Sequence, residues 1–123
     1  MKRFVVEEHH RRPRSLGGAD KPPNISFVPH RLHRHWHTLF GNLNAEQTCN
    51  KINLSPWKPR GVTLVCHFIN GTEVAIRGKH DSVQVSKCQL AWYRLFGRLA
   101  FRETINYINN VWLDPSYHFY IVR

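Results

Sequence analysis

The stretch EEHHRRPRSLGGADKPPNISFVPHRLHRHWH, residues 7–37, contains six of the nine histidines of the chain together with five arginines. Two β-rich runs in and around it are separated by a segment with Pro and Gly-Gly, and apolar residues then recur at helical spacing. The pattern predicts a strand over residues 4–10, a loop over 11–23, a strand over 24–29 and a helix from Leu32 to Phe40.

The charge of the chain is strongly positive. Eighteen Lys and Arg stand against eight Asp and Glu, which gives a net charge of +10 and a pI near 10.2. Such a balance attracts polyanions before any motif is considered, and nucleic acid is the leading partner. Ribosomes, acidic proteins and anionic lipid remain open on charge alone.

The length and the cysteines indicate one domain in a reducing compartment. The chain has 123 residues, and its three cysteines, Cys49, Cys66 and Cys88, are odd in number and far apart, which fits neither a disulfide framework nor a zinc knuckle. The apolar run after the basic start is too short for a signal peptide, and no run approaches the ~18 apolar residues of a membrane span. We expect a soluble cytoplasmic protein without a membrane segment.

The rest of the chain carries three kinds of local signal: capping boxes, a hairpin dipeptide and apolar runs. These signals predict a helix from Asn44, capped with Gln47, to about Ile52; a hairpin around Asn70-Gly71 within residues 62–78; a strand over 82–85; a helix capped by Ser86 and Gln89; and a final strand over 117–122.

An internal repeat relates the two halves. Residues 36–53 align without a gap to residues 92–109, with nine of eighteen positions identical. Each copy is predicted to contain strand, loop, strand and helix, and the repeated Trp36 and Trp92 are expected in the core. The sequence therefore predicts an α+β fold in which copy 1–54 and copy 55–123 form one compact domain.

The histidines have a spacing that suits a metal ion. His33 and His37 are four apart on the predicted helix and lie on one face, so both imidazoles can reach one ion. His9 and His10 are adjacent on a strand and leave opposite faces, so we expect one of them to complete a three-histidine site and the other to act as a base.

These residues resemble the HNH nucleases of the ββα-metal class. That family has an acidic residue or His before a His, a loop with Pro and Gly-Gly, an Asn opening the second strand, and a helix ending in His-x-x-x-His. The corresponding residues here are Glu8-His9-His10, Pro13, Gly17-Gly18, Asn24 and His33 to His37, and the likeness covers about residues 4–40.

The resemblance implies a metal-dependent endonuclease that hydrolyses DNA phosphodiester bonds. His9, His33 and His37 would be ligands of one divalent ion, with Zn²⁺, Ni²⁺, Mg²⁺ and Mn²⁺ all open, and His10 would be the general base. Asn24 would hold the loop and orient His10. Arginines would contact DNA phosphates: Arg3, Arg11, Arg12, Arg14, Arg31 and Arg34.

Some positions depart from the family pattern. Pro29 and Leu32 stand where many members carry a cysteine pair for a structural zinc, and Gln89 and Tyr93 replace His33 and His37 in the second copy. The second copy is therefore interpreted as degenerate support for the core and for DNA. One active site per chain would nick DNA, unless a homodimer or an accessory specificity protein takes part.

Two other functions are consistent with the sequence. In one, the same scaffold holds a structural zinc and serves as a non-catalytic nucleic-acid- or protein-binding regulator of a phage or mobile element. His10 favours the enzyme, since a structural site needs only the other three histidines. In the other, the chain is a plain basic RNA-binding domain, although no RNA-recognition motif is visible.

Overall fold

Two small antiparallel sheets and four α-helices make up residues 5–75 and 85–123, the part of the chain that the computed structural model describes. The α+β class is confirmed. The elements in chain order are β1 (Val6–His10), a 3₁₀ turn (Arg14–Leu16), β2 (Ile25–Pro29), α1 (His30–Leu39), α2 (Ala45–Leu54), β3 (Thr63–Phe68), α3 (Val85–Phe96), α4 (Phe101–Tyr107), a π-helical turn (Ile108–Trp112) and β4 (Tyr117–Val122). No described helix has the length and apolar character needed to cross a membrane.

The first sheet and α1 follow the order predicted from residues 7–37. β1 and β2 pair antiparallel, from Val6 opposite Pro29 to His10 opposite Ile25. α1 starts at His30, two residues before the predicted start, because Pro29 takes an extended conformation and acts as its N-cap. The strands and helix predicted here are confirmed.

The loop between β1 and β2 depends on its two glycines for different reasons. Gly17 has φ +85° and ends the 3₁₀ turn in the left-handed region that favours glycine. Gly18 has no room for a side chain, since an added Cβ would lie 1.8 Å from the carbonyl oxygen of Arg12. The interpretation of Gly-Gly as a turn is confirmed.

The helix starts of the two halves differ in their capping. In α2 the predicted box is present, since Asn44 Oδ1 accepts from the Gln47 backbone N–H at 2.8 Å and Gln47 Oε1 accepts from the Asn44 N–H at 2.9 Å. The predicted box at Ser86 is wrong, because α3 already begins at Val85 and Ser86 lies inside its first turn.

The second sheet contains a strand pair that was not predicted, beside the start of the predicted hairpin. The Asn70-Gly71 turn exists, with Gly71 at φ +97°, and Glu73 pairs antiparallel with His67. Across the turn the Phe68 N–H donates to the Thr72 carbonyl and the Val74 N–H to the Cys66 carbonyl, both at 2.8 Å. The hairpin is therefore present next to its turn, and the rest of its predicted second arm, from residue 76, lies outside the described residues. β3 also pairs antiparallel with β4 along its whole length. The strand predicted over 82–85 falls almost entirely outside the described residues.

The repeat is visible as a pair of helices in each copy, α1 and α2 in the first and α3 and α4 in the second. With the offset of the repeat, β3 stands where β1 stands in the first copy, and the second strand predicted for this copy lies almost entirely outside the described residues. The strand-loop-strand start of the second copy therefore stays a prediction.

The two halves share one core. The Trp36 ring of the first copy stacks on the Trp112 ring of the second with centroids 5.0 Å apart, while the centroid of the Trp92 ring lies 6.0 Å from that of Trp57 within the second copy. Fully buried side chains come from both halves, among them Leu39, Ile52, Leu64, Phe96, Trp112 and Phe119. The prediction that Trp36 and Trp92 are core residues is confirmed.

Candidate metal centre

Three histidines from β1 and α1 converge on one point. One ring nitrogen from each of His9, His33 and His37 lies within 4.8 Å of the others. His9 Nδ1 is 3.3 Å from His33 Nε2, which is 3.0 Å from His37 Nε2. β1 packs on α1 so that the inward face of the strand meets the His33/His37 face of the helix. The three residues that the sequence singled out as ligands are therefore brought together.

His9 has a fixed tautomer. Its side chain is buried, and its Nε2 lies 2.8 Å from the carbonyl oxygen of Trp112, which can only accept, so Nε2 carries the hydrogen and donates it. Burial lowers the pKa of His9 to about 4, which keeps the ring neutral. The free electron pair is then on Nδ1, the atom that faces His33.

His33 is oriented by a carboxylate. Glu7 Oε1 lies 2.6 Å from His33 Nδ1 and Glu7 Oε2 lies 2.9 Å from His30 Nδ1. These hydrogen bonds, that of His30 first and that of His33 second, lower the pKa of Glu7, so Glu7 is ionised and accepts from both rings. His33 in its neutral form therefore presents the electron pair of Nε2 to the cluster.

The cluster fits a bound metal ion. The unprotonated His9 Nδ1 and His33 Nε2 face each other at 3.3 Å, and a cation bound between them would stabilise this arrangement. The distance suits zinc, because two tetrahedral ligands about 2.0–2.1 Å from the ion are about 3.3–3.4 Å apart. The partners of the outer nitrogens, a backbone carbonyl and a carboxylate, are those that orient histidine ligands in metal sites. His37 lies on the exposed side of the cluster, so a fourth position can open toward solvent.

His10 lies in the same cleft as the three ligands. The cleft has a volume of about 450 Å³ and is lined by all four histidines, Trp112 and residues of the segment after α1. His10 Nε2 lies 2.7 Å from Asp20 Oδ1 and 3.2 Å from Arg14 Nε. One nitrogen cannot both donate and accept, and the shorter, charge-assisted contact with Asp20 prevails, while Arg14 donates to the same Asp20 oxygen at 2.9 Å.

The surroundings of the His10 ring differ from those expected. We expected this histidine to stand free, but it is held by Asp20, whose pKa is lowered by hydrogen bonds from His10 and then from Arg14. With Nε2–H donated to Asp20, Nδ1 carries the electron pair that can accept a proton.

Asn24 holds the loop and has no direct bond to His10. Its Oδ1 accepts from the Arg12 N–H at 2.7 Å, and its Nδ2 donates to the carbonyls of Arg12 and Ala19 at 3.1 and 2.8 Å. The loop-holding function is as expected. The residue that contacts the His10 ring is Asp20, in the loop that Asn24 closes.

The predicted DNA-contacting arginines have different environments. Arg11 donates to the carbonyls of Leu113 and Asn109 at 2.7 and 2.6 Å, and Arg12 forms a 2.6 Å ion pair with Asp114. Burial lowers the pKa of Arg11, and the bond to Asp114 raises that of Arg12. Both guanidinium groups therefore join the β1 end to the C-terminal half, and their contact with DNA phosphates stays a prediction.

The remaining predicted arginines are more exposed. Arg14 lies at the cleft with its side chain 69% exposed, and Arg31 and Arg34 project from α1. Arg3 lies outside the described residues. Burial, followed by the charges of Arg94, Arg31 and Arg34, lowers the pKa of His35 on the same side of α1.

Sequence reasoning missed three groups that orient the histidines: Glu7, Asp20 and the Trp112 carbonyl. Glu7 could have been found, since it is two residues before His9 and therefore projects from the same face of β1. Asp20 and Trp112 carry no such signal, because loop closure and a contact across about a hundred residues position them.

The described part of the second copy has no counterpart of the metal centre. At the positions equivalent to His33 and His37 it has Gln89 and Tyr93, and across residues 5–75 and 85–123 the cluster at His9 is the only His, Cys, Asp or Glu group with ligand geometry. This agrees with the interpretation of the second copy as degenerate.

Comparison with protein-family models, with curated proteins and with solved structures finds no match for this chain.

Proposed function

We propose that this protein is a metal-dependent endonuclease of the HNH type that hydrolyses DNA phosphodiester bonds. One observation carries the proposal: ring nitrogens of three histidines converge beside a fourth histidine in an open cleft. A structural metal site needs only three or four ligands and no additional histidine held by a carboxylate.

The cleft contains the groups that hydrolysis needs. A divalent ion at His9, His33 and His37 would supply Lewis-acid stabilisation of the charge that develops on the phosphate and on the leaving oxygen. His10 Nδ1 accepts a proton from a water molecule as that water attacks phosphorus. The new P–O bond forms while the bond from phosphorus to the 3′ oxygen breaks, and that oxygen then takes up a proton.

Asp20 and Arg14 support this chemistry in different ways. Asp20 holds the His10 ring by its Nε2–H, which fixes the tautomer and stabilises the ring once it is protonated. Arg14 bonds to Asp20 and yet remains largely exposed, so its guanidinium can also contact a phosphate beside the cleft. The net charge of +10 supports binding of the polyanion.

The product is expected to be a nick. One centre per chain cuts one strand, since the second copy lacks the corresponding histidines. A homodimer or a specificity protein would be required for paired cuts.

The test is cleavage of supercoiled plasmid by protein stripped with a chelator, with Mg²⁺, Mn²⁺, Ni²⁺ or Zn²⁺ added back in turn. Wild-type protein should yield nicked circles only when metal is present. His10→Ala should lose at least a hundredfold in rate while binding metal and melting like wild type. His67→Ala, a histidine outside the cleft, is the matched control and should cut normally.

Plasmid binding separates the proposal from the regulator. If wild type and His10→Ala both bind plasmid and neither cuts it with any of the four metals, the enzyme proposal fails and the non-catalytic binding protein replaces it. Cleavage by His10→Ala at the wild-type rate would instead remove His10 from the reaction.

A further inference from the structure

A basic groove of about 900 Å³ lies between α1 and α3, apart from the metal cleft. Among the described residues, its lining carries five cations and no carboxylate: Arg31, Arg34, Lys87, Arg94 and Arg98. Within residues 5–75 and 85–123, none of these five forms an ion pair with an acidic side chain. The groove therefore concentrates positive charge that the described residues leave uncompensated.

The arginines near the metal cleft have a different arrangement. Arg12 is paired with Asp114 and Arg14 with Asp20, so each of these charges already faces a carboxylate of the protein. Like charges held on two packed helices repel one another, and a bound polyanion would relieve that repulsion. The groove is thus suited to a ligand with several negative charges.

The groove is formed by equivalent faces of the two repeated helices. With the offset of the repeat, Arg31 corresponds to Lys87 and Thr38 to Arg94, and all four line the groove. The second copy has thus lost the metal-binding histidines but contributes three of the five cations. This distribution assigns the second copy to binding rather than to chemistry.

We propose that the α1/α3 groove binds the phosphate backbone of duplex DNA as a second contact surface of the protein. The proposal extends the proposed function by locating where the substrate is held, but it does not depend on cleavage. Arg34 and Arg31 lie about 60° and 120° around α1 from His37, so the groove adjoins the solvent face that carries the metal cleft.

The dimensions and the lining favour duplex over single-stranded DNA. Lys87 and Arg94 are about 10 Å apart along α3, a length over which duplex DNA presents about six phosphates. Single-strand binding surfaces combine cations with aromatic platforms for the bases, and the described residues that line the groove include no Phe, Tyr or Trp.

The experiment is fluorescence anisotropy of a labelled duplex of about 20 base pairs with full-length protein in EDTA, across a series of salt concentrations. EDTA prevents cleavage, so failure of the groove proposal is distinguishable from failure of the nuclease proposal. The variant Arg94→Gln/Arg98→Gln removes two groove cations. Arg60→Gln/Arg102→Gln removes the same charge from exposed positions outside the groove and the cleft and is the matched control.

The groove variant should bind the duplex at least about tenfold more weakly than wild type. The slope of log K against log salt concentration should become less negative by about 1.8, that is, by about 0.9 for each lost phosphate contact. The control should bind within about threefold of wild type, and both variants should melt like wild type. Equal losses in the two variants, or an unchanged slope in the groove variant, would overturn the proposal. The proposal would also be overturned if the groove variant lost more affinity for a single strand than for the duplex.

Discussion

Replacing Arg11 by Met should destabilise the fold and should not remove a phosphate contact from the cleft. Arg11 extends from the end of β1 to the end of the π-helical turn, where its Nε donates to the Leu113 carbonyl at 2.7 Å and a terminal nitrogen donates to the Asn109 carbonyl at 2.6 Å. Methionine retains an unbranched stem of similar length but donates no hydrogen bond.

The size of the effect follows from these two bonds. A hydrogen bond from a charged donor contributes about 1.5–3 kcal/mol, so losing two of them from a half-buried position should lower the free energy of unfolding by about 3 kcal/mol. At about 2.1 cal/mol/K per residue, the unfolding entropy of a 123-residue chain is about 0.26 kcal/mol/K, and Tm should fall by about 12 °C.

Thermal denaturation followed by circular dichroism measures this shift, with Arg14→Met as the control. Arg14 is largely exposed, so its loss should move Tm by about 2 °C or less. If Arg11→Met melts like Arg14→Met and instead loses DNA affinity, then Arg11 is a phosphate contact and its structural assignment is wrong.

Three further changes test other parts of the site. Asn24→Ala should lower the unfolding free energy by about 2–3 kcal/mol in a urea titration, because it removes three part-buried hydrogen bonds to the backbone of the loop. A loss under about 0.5 kcal/mol would show that the loop holds without it. Asp20→Asn should reduce cleavage about ten- to a hundredfold with unchanged duplex binding, and an unaltered rate would exclude Asp20 as the residue that positions the base. Burial raises the pKa of Cys49 and that of Cys66 to about 12, so both thiols should be unreactive in the native protein. In a Cys88→Ser variant, a disulfide reagent at pH 8 should label neither thiol before unfolding and both thiols after unfolding. Rapid labelling of the native protein would contradict their burial.

The sequence predicts the first sheet and α1 well because their signals are local. The strand before His10, the Gly17-Gly18 turn, the strand ending at Pro29 and the helical spacing of the histidines each depend on neighbours within a few residues. The convergence of His9 with His33 and His37 follows once the strand pair is closed and the helix packs on it.

The second sheet shows where local signals are insufficient. Asn70-Gly71 is a strong hairpin signal, and the turn does form, but nothing local indicates that β3 also pairs with β4, whose Phe119 is buried in the core. A pairing between residues about fifty apart depends on which strand fills the interior, and no short pattern reports that.

The environments of the arginines were equally inaccessible from the sequence. Arg11 and Arg12 are as basic as Arg31 and Arg34, yet the first pair bonds to Leu113 and Asp114 across about a hundred residues. Composition predicted the positive charge, and only the folded arrangement separates structural cations from those of the groove.

Metal binding by the three histidines is tested most directly by calorimetric titration of the metal-free protein with Zn²⁺, together with the visible spectrum of the Co²⁺ form. We predict one ion per chain, Co²⁺ absorption typical of tetrahedral coordination, and at least a hundredfold loss of affinity in His33→Ala. His35→Ala, on the groove side of α1, should bind like wild type. No binding of either ion, or equal affinity in His33→Ala and wild type, would contradict a metal centre at His9, His33 and His37.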